Sequence, residues 1–418
     1  MNIRKTFKTI PDMGVIWVMD EAIKLGFYNG NPDWANLGQG QPEFGEMEGA
    51  PLRVKEFGID IPDNAYGPLN GILELRKSIA DHYNRLYRKN KSSQYTFENV
   101  GVAMGGRLVL TQLCTMLGNI RLGYKIPEYP AYANILSNHK GRLNAIHIPT
   151  KEENNFSIPS NELNEILQKE KLDAFLFSNP CNPTGSVIEG SELAEYLKIA
   201  KQNNCAIIID EMYSHYVFND NKPATGAVSS AAYINEVNNE SVIIVDGLTK
   251  SFRYPGWRIA WAVGPKHLID NLNRVASSID GGPCQPMQRA AIKVLESTLV
   301  DQETSALRKV FSRKRNIMVE SLSKNGITCT SGIRGTFYVW GDIGKLPKPL
   351  HQSECFFTEA LKHKVMTIPG HLFDIHPGSS YSKNSNFNNY VRFSFGPEEE
   401  NMRMGLNRLE KLIQSTKK

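Results

Sequence analysis

The sequence predicts an α/β protein built on a mostly parallel β-sheet. Short apolar runs alternate with longer segments whose apolar residues recur at helical spacing, which is typical of such a sheet covered by helices. The chain has 418 residues, of which 41% are hydrophobic and 22% are charged. A chain of this length and composition buries a large core and forms more than one domain.

The first predicted elements are a helix and a strand that leads into a glycine turn. Apolar residues recur every three or four positions over residues 71–90, which predicts an amphipathic helix. Residues 100–104 follow as a strand, and Gly105 and Gly106 separate it from a helical segment over residues 108–117. A Gly-Gly pair between a strand and a helix suits anion binding by backbone N–H groups, although the same pair also occurs in tight turns without a ligand.

Further strands are predicted along the first two-thirds of the chain. They lie at residues 124–126, 174–177, 206–209 and 242–245, with a returning strand at 258–263. Polar residues cluster just past the carboxyl ends of these strands, and in open α/β sheets ligands bind at that edge.

The last part of the chain is organised differently. From about residue 305 a charged helix precedes the segment 335–341 and a final helix over about 398–414, which is typical of a smaller α+β domain. We expect residues 46–304 to form the large domain and residues 305–418 the small domain, which residues 1–45 would join. The polar segment 371–389 is expected to be a loop or flap.

Composition and charge argue against several classes of protein. The net charge is only +5 and no Lys/Arg-rich block occurs, so no nucleic-acid partner is expected. The six cysteines form no C-x-x-C pair, which predicts neither a zinc site nor disulfides and indicates a reducing compartment. No run approaches the roughly 20 apolar residues of a membrane span, and no signal peptide is evident. We therefore expect a cytoplasmic protein without metal or membrane partner.

Two strand ends carry candidate catalytic residues. Lys250 follows the apolar run 241–245, and Arg258 lies further on beyond a Pro-Gly turn. Burial near other cations lowers the pKa of a lysine, and only the neutral amine forms a Schiff base, although a lysine here can also be a solvated loop residue. Asp210 ends an isoleucine-rich strand, where a carboxylate needs a cationic partner or else caps the next helix.

Two further residues are candidates for binding. Asn182 lies in residues 178–185, whose Asn-Pro and Thr-Gly pairs force a turn over the sheet edge, a sequence that also suits a purely structural loop. Arg392 lies inside the apolar run 391–395. It needs a buried partner such as a substrate carboxylate, unless it forms a surface ion pair.

Taken together, these residues resemble the class I/II aminotransferases, the fold type I enzymes that use pyridoxal 5′-phosphate. The set is, in chain order, the Gly-Gly turn, Tyr129, Asn182, Asp210, Tyr213, Lys250 and Arg258. The likeness extends to residues 65–76, 369–370 and 390–396. It implies a mostly parallel seven-stranded sheet between helices and transfer of an amino group from an L-amino acid to a 2-oxo acid.

The resemblance also implies a role for each residue around the cofactor ring. Lys250 would hold the cofactor as a Schiff base and then move the proton at the substrate Cα. Asp210 would pair with the protonated pyridine nitrogen, so that the ring accepts electrons. Asn182 and Tyr213 would hydrogen-bond the phenolic oxygen, and Tyr129 would stack on the ring.

The cofactor phosphate would be held by an arginine and by backbone groups. Arg258 would supply the guanidinium, and the Gly105 turn would present the N–H groups of Gly106 and Arg107. Tyr66 would reach the phosphate from a second subunit, which implies a homodimer with shared active sites.

The substrate carboxylate would be held by Arg392, with Asn182 and the backbone N–H of Gly40 as further contacts. Arg253 and Arg289 are expected to be structural or solvent-facing rather than ligands of a side-chain carboxylate.

Two other functions stay open at this point. A lyase or cyclase of the same fold, acting on a specialised amino acid, would use the same lysine, aspartate and arginines, so motifs do not separate it from an aminotransferase. A cofactor-sensing transcription regulator would need a DNA-binding module, for which the sequence offers no basic recognition helix.

Overall fold

A computed structural model of the chain describes residues 14–218, 226–330, 333–378 and 384–417. The helices are α1 (Gly14–Lys24), α2 (Leu73–Tyr87), α3 (Gly106–Met116), α4 (Ala131–Ser137), α5 (Ser160–Lys169), α6 (Gly190–Gln202), α7 (Lys266–Ile279), α8 (Gln285–Val294), α9 (Ser297–Lys324), α10 (Ser353–Lys362) and α11 (Glu399–Thr416). The strands are β1 (Ala35–Asn36), β2 (Val100–Ala103), β3 (Ile120–Ile126), β4 (Leu143–Pro149), β5 (Ala174–Ser178), β6 (Ala206–Asp210), β7 (Val242–Gly247), β8 (Ala260–Val263), β9 (Thr328–Cys329), β10 (Tyr338–Asp342), β11 (Val365–Met366), β12 (Ile368–Pro369) and β13 (Tyr390–Ser394).

Seven strands form the central sheet, in the order β2-β8-β7-β6-β5-β3-β4. The pairs from β7 to β4 are parallel, and β8 runs antiparallel to both β7 and β2. Every residue of β5 and β7 is buried, which explains why these segments are continuous apolar runs in the sequence. The predicted α/β class with a mostly parallel seven-stranded sheet is confirmed.

Several predicted elements have different ends in the structure. The helix predicted over residues 71–90 is α2, which is shorter, and β3 begins four residues before the predicted strand at 124–126. Strand β8 begins only at Ala260, because Arg258 has φ 56°, a left-handed conformation that a strand does not accommodate. Strand β4 was not predicted, since it lies at the sheet edge and alternates irregularly between buried and exposed residues.

Strand register brings the candidate residues to one edge of the sheet. Ser178 at the end of β5 is paired with Asp210 at the end of β6, and Asp210 is paired with Val245 of β7. The loop that carries Asn182 and the turn that carries Lys250 follow directly. The carboxyl ends of three adjacent parallel strands therefore converge where ligands bind in such folds.

The remaining strands form two smaller sheets. Strands β12, β13, β10 and β9 make an antiparallel sheet, and β1 pairs in parallel with β11, so the N-terminal segment contacts the C-terminal part of the chain. The expected domain boundary between residues 304 and 305 falls inside α9, so one helix runs through both expected domains.

The segment 371–389 is only partly the polar flap that the sequence predicts. Leu372, Phe373 and Ile375 are buried in the core, and the backbone N–H of Glu128 donates to the carbonyl of Phe373 at 3.3 Å. Residues 379–383 of this segment lie outside the described residues. The first residues of this segment therefore form part of the hydrophobic core.

Some features are absent from the described ranges. None of the helices there is long and apolar enough to cross a membrane. Those same residues contain no group of three or more His, Cys, Asp or Glu side chains arranged to hold a metal ion. All six cysteines are free.

Arg253 and Arg289 form ion pairs within the chain. Arg253 is fully buried, and its Nε donates to Oε1 of Glu303 at 2.5 Å while its Nη1 donates to the carbonyl of Gly45 at 2.8 Å. Arg289 donates to the carboxylate of Asp63. Arg253 therefore joins the N-terminal segment to helix α9.

Glu303→Gln should destabilise the fold strongly. Its carboxylate neutralises Arg253 in a buried pair, and breaking such a pair leaves an uncompensated charge that costs about 3–5 kcal/mol. Urea denaturation at pH 7 would measure the free energy of unfolding. The control is Asp301→Asn on the same helix, whose pair with Arg85 is partly exposed and which should lose less than about 1 kcal/mol. Similar small losses in both variants would contradict this prediction.

Candidate active site

Lys250 lies on the turn after β7, half-buried, and its amine donates a hydrogen bond to the carbonyl of Gly40. Burial and, after it, the positive charge of nearby arginines together lower the pKa of Lys250 to about 7, against a smaller opposite effect of Asp210. These arginines are Arg392, Arg107 and Arg258. A large fraction of the amine is therefore neutral near pH 7, as a lysine nucleophile requires.

Asp210 is a buried carboxylate at the end of β6. Its Oδ1 accepts from the backbone N–H of Met212 at 3.2 Å, and its Oδ2 accepts from the hydroxyl of Tyr132 at 3.1 Å. Burial raises the pKa of Asp210 to about 6, although both hydrogen bonds lower it. No cation in the described parts of the chain lies within 4.0 Å of this carboxylate. A cationic ligand group would therefore stabilise it.

Arg392 is a buried cation on β13, 2% exposed. Its Nη1 donates to Oδ1 of Asn182 and its Nη2 to the carbonyl of Gly38, both at 3.0 Å. The guanidinium lies 4.0 Å from the ring of Tyr338 and 5.2 Å from that of Phe373. Its Nε has no hydrogen-bond partner, and among the described residues no carboxylate forms an ion pair with it. Such a charge needs an anion from outside the chain.

The Gly-Gly turn and Arg258 form a cradle at the start of α3. Gly105 has φ +92°, and a Cβ atom at this position would overlap the guanidinium of Arg258. Gly106 and Arg107 occupy the first turn of α3, where backbone N–H groups have no acceptor within the helix. Arg258 is exposed and held by a bond from its Nη1 to the carbonyl of Pro255 at 3.1 Å. The cradle suits a phosphate.

Tyr129 and Tyr66 occupy different surroundings. Tyr129 accepts a hydrogen bond from Nε of Arg107 at 2.9 Å, and its ring packs edge-on against Tyr132 with centroids 5.6 Å apart. The side chain of Tyr66 is 99% exposed. It contributes nothing to the site of its own chain.

Tyr213 makes a contact that the sequence did not indicate. Its hydroxyl lies 2.9 Å from the hydroxyl of Tyr338, and both rings are buried. Asn182, the other residue expected at the phenolic oxygen, is bound to Arg392. Because an arginine only donates, the Asn182 atom it contacts is the oxygen, which leaves the amide nitrogen free to donate elsewhere.

Glu128 is a buried residue that sequence reasoning missed. Its Oε1 accepts from the backbone N–H of Tyr129 at 3.0 Å and from the hydroxyl of Ser178, and its Oε2 accepts from the Ser178 N–H at 3.1 Å. Ser178 Oγ in turn accepts from the Asn182 N–H at 3.2 Å. Lys125 neutralises Glu128 at 3.4 Å. Glu128 thus ties the Tyr129 loop to the Asn182 loop, and two opposite charges three residues apart at a buried strand end were its signal.

A comparison with known proteins decides the family. The sequence matches the family described as aminotransferase class I and II over residues 32–409. The chain belongs to this family. It is therefore an enzyme, a pyridoxal-phosphate-dependent aminotransferase, and the lyase or cyclase alternative is not favoured.

Named relatives cover almost the whole aminotransferase chain. An aspartate aminotransferase of Pyrococcus abyssi is 27% identical over 398 residues, 93% of this chain and 94% of that protein. An aromatic-amino-acid aminotransferase of Thermococcus litoralis is 27% identical over 390 residues, 91% of this chain and 92% of that protein. A solved aspartate aminotransferase from Thermus thermophilus with maleate has a TM-score of 0.77 at 21% identity, with 99% of both chains covered. It supports the fold type I architecture.

The site of this aminotransferase fits the cofactor that its family uses. Asp210 lacks a cation that a protonated pyridine nitrogen would supply, and Lys250 offers a neutral amine for an aldehyde. The cradle at Gly105 suits a phosphate only because no Cβ atom fills it. The guanidinium of Arg392, whose Nε has no hydrogen-bond partner, is available to bind a second anion.

Asp210→Asn should stabilise the cofactor-free aminotransferase at pH 8 but not at pH 4. The pKa of Asp210 rises from 3.8 to about 6 on folding, so the folded chain binds the Asp210 proton more tightly than the unfolded chain does. The contribution of this proton to the free energy of unfolding is fully present below pH 4 and is lost as pH rises through 6. The asparagine oxygen can accept from the Met212 N–H, and its NH2 group can donate to the oxygen of Tyr132, so both contacts persist without charge. Urea denaturation at pH 8 should show a gain of about 3 kcal/mol.

The control for this experiment is Asp270→Asn, which removes an exposed carboxylate from α7 and should change stability little at either pH. A loss of stability at pH 8 in Asp210→Asn would mean that the chain itself already compensates the charge of Asp210.

Proposed function

We propose that this aminotransferase moves the α-amino group of an L-amino acid to a 2-oxo acid, with Lys250 as the residue that binds the cofactor. One observation carries the proposal: a lysine whose pKa is lowered to about 7 lies at the same sheet edge as the buried carboxylate of Asp210. The buried Arg392 of β13 meets this edge through its hydrogen bond to Asn182. The neutral amine of Lys250 could bind an aldehyde, the Asp210 carboxylate could pair with a cationic ring nitrogen, and Arg392 could bind an α-carboxylate.

Lys250 and Asp210 would carry the proton chemistry. Pyridoxal phosphate, when bound, supplies an aldehyde for amine linkage and a ring that withdraws electrons from the substrate Cα. The Asp210 carboxylate would keep a proton on the ring nitrogen, because a buried anion favours a cation beside it. The Nζ of Lys250, with a pKa near 7, would then accept and return the Cα proton efficiently at neutral pH.

Arg392 would orient the substrate. Its guanidinium is held by Asn182, Gly38 and two aromatic rings, so it can bind a carboxylate without reorganising. The Nε donor without a partner is available for that carboxylate. We also keep the N–H of Gly40 as a proposed contact, because its carbonyl already lies against Lys250.

Four further groups of residues are proposed as cofactor contacts. We propose that Arg258 and the N–H groups of Gly106 and Arg107 hold the phosphate, and that Tyr129 stacks on the ring. The free amide nitrogen of Asn182 supports its proposed role as a donor to the phenolic oxygen. The hydroxyl of Tyr213 is proposed as the second donor.

We propose that the enzyme is a homodimer in which Tyr66 completes the partner's phosphate site. The support is a set of large apolar or aromatic side chains exposed over residues 52–66, an arrangement that marks an interface in soluble proteins. They are Leu52 at 85%, Ile59 at 66%, Ile61 at 87% and Tyr66 at 99% exposure.

Domain division and location are further proposals. Residues 46–304 and 305–418 are proposed as large and small domains, with the segment before residue 46 joined to the small one. The pairing of β1 with β11 supports that assignment of the N-terminal segment. The six free cysteines support a reducing, cytoplasmic location.

Lys250→Ala should abolish covalent cofactor binding. Borohydride reduction of the loaded enzyme, followed by peptide mass spectrometry, should place the cofactor on Lys250 in the wild type and on no lysine in the variant. The control is Lys293→Ala on the exposed face of α8, which should label as the wild type does. A reducible link that persists in Lys250→Ala would refute the assignment.

The reaction itself is tested on the wild-type enzyme in the same preparation. A panel of amino acids that includes aspartate, glutamate and the aromatic amino acids should convert the bound cofactor to pyridoxamine phosphate. Pyruvate and ammonia without pyridoxamine phosphate would indicate elimination instead.

Ile61→Glu should weaken the dimer. A charge in an apolar interface is desolvated without a partner, so the variant should dissociate at a higher protein concentration than the wild type in sedimentation velocity. Ile23→Glu on α1 places the same charge at another exposed isoleucine, 54% exposed, and should leave the association unchanged. A wild-type enzyme that sediments as a monomer at all concentrations would contradict the dimer.

A further inference from the structure

Tyr338 lies between two residues to which the proposed function gives separate tasks. Its hydroxyl is 2.9 Å from the hydroxyl of Tyr213, and its ring face is 4.0 Å from the guanidinium carbon of Arg392. Tyr338 is 1% exposed and belongs to β10. A single side chain therefore contacts both the proposed donor to the cofactor and the proposed anchor of the substrate.

The position of Tyr338 is fixed by strand pairing. Strand β10 pairs with β13, which carries Arg392, and Tyr338 lies opposite Ser394. The ring of Tyr213 packs at 5.7 Å from that of Tyr338 and at 5.4 Å from that of Phe337. Neither phenol can move far without disturbing a buried strand.

The hydrogen bond between the two phenols limits which of them can donate to a ligand. In the described parts of the chain, each of these hydroxyls has the other as its hydrogen-bond partner. A phenol has one hydrogen to donate. If Tyr338 donates to the oxygen of Tyr213, the hydrogen of Tyr213 is free for the cofactor's phenolic oxygen, and the chain of two bonds strengthens the outer one.

We propose that Tyr338 is a positioning residue that acts on both halves of the site. Its hydroxyl directs the hydrogen of Tyr213 toward the cofactor's phenolic oxygen, and its ring holds Arg392 for the substrate carboxylate. This inference rests on the proposed function. Burial raises the pKa of Tyr338, and the positive charge of the Arg392 guanidinium beside its ring opposes that rise.

Two substitutions test the contacts of Tyr338 with Tyr213 and with Arg392 independently. Tyr338→Phe keeps the ring beside Arg392 and removes the hydroxyl, whereas Tyr338→Leu removes both. A weaker donor at Tyr213 stabilises the ionised phenolic oxygen less, so the pH midpoint of the bound cofactor's absorption should rise by about 0.5–1 unit in Tyr338→Phe. The KM for the amino acid should stay within about twofold in Tyr338→Phe and rise roughly tenfold in Tyr338→Leu.

The control is Tyr124→Phe, which removes another buried phenol hydroxyl, one that donates to the carbonyl of Ile375 at 2.9 Å. It should leave both the absorption midpoint and KM at wild-type values. A Tyr338→Phe enzyme that titrates like the wild type, or a Tyr338→Leu enzyme with unchanged KM, would overturn the inference while Lys250 still carries the cofactor. A wild-type enzyme without cofactor on Lys250 would instead overturn the proposed function, and the inference with it.

Discussion

The candidate site is built around two buried charges, Arg392 and Asp210, that no described residue neutralises with an ion pair. Arg392 has no anionic partner among the described residues, and Asp210 has no cationic one. Desolvation raises the pKa of Asp210 and lowers that of Lys250, so both groups are held near the middle of the pH scale. An isolated chain gains nothing from this arrangement. A ligand that carries a phosphate, a ring cation and a carboxylate would neutralise it.

Hydrogen bonds and ion pairs around the candidate site hold its loops in place. Glu128 links the loop of Tyr129 to that of Asn182 through Ser178, and Lys125 neutralises its carboxylate. Arg253 and Glu303 hold the N-terminal segment against helix α9 in the same manner. Each of these buried pairs contains both a cation and an anion, whereas Arg392 and Asp210 have no such partner among the described residues.

The central sheet was predictable because parallel strands that are buried on both faces consist of continuous runs of apolar residues. Strands β5, β6 and β7 follow this rule, and the polar residues after them mark the site. Strand β4 escaped prediction because an edge strand exposes part of both faces. The apolar residues Leu372, Phe373 and Ile375 were hidden in a polar segment, since composition averaged over a loop does not show which side chains turn inward.

The sequence by itself determined the family and the approximate carboxyl ends of the central strands β3, β5, β6 and β7, because both depend on local pattern. It also predicted the residue types of the candidate site, because the chemistry needs a lysine, a carboxylate and arginines. Only the tertiary structure decided which partners these residues have. The contacts of Tyr338 with Tyr213 and Arg392, and of Glu128 with Ser178, join residues far apart in the chain. Spacing along the chain carries no information about such pairs, since strand register and burial create them.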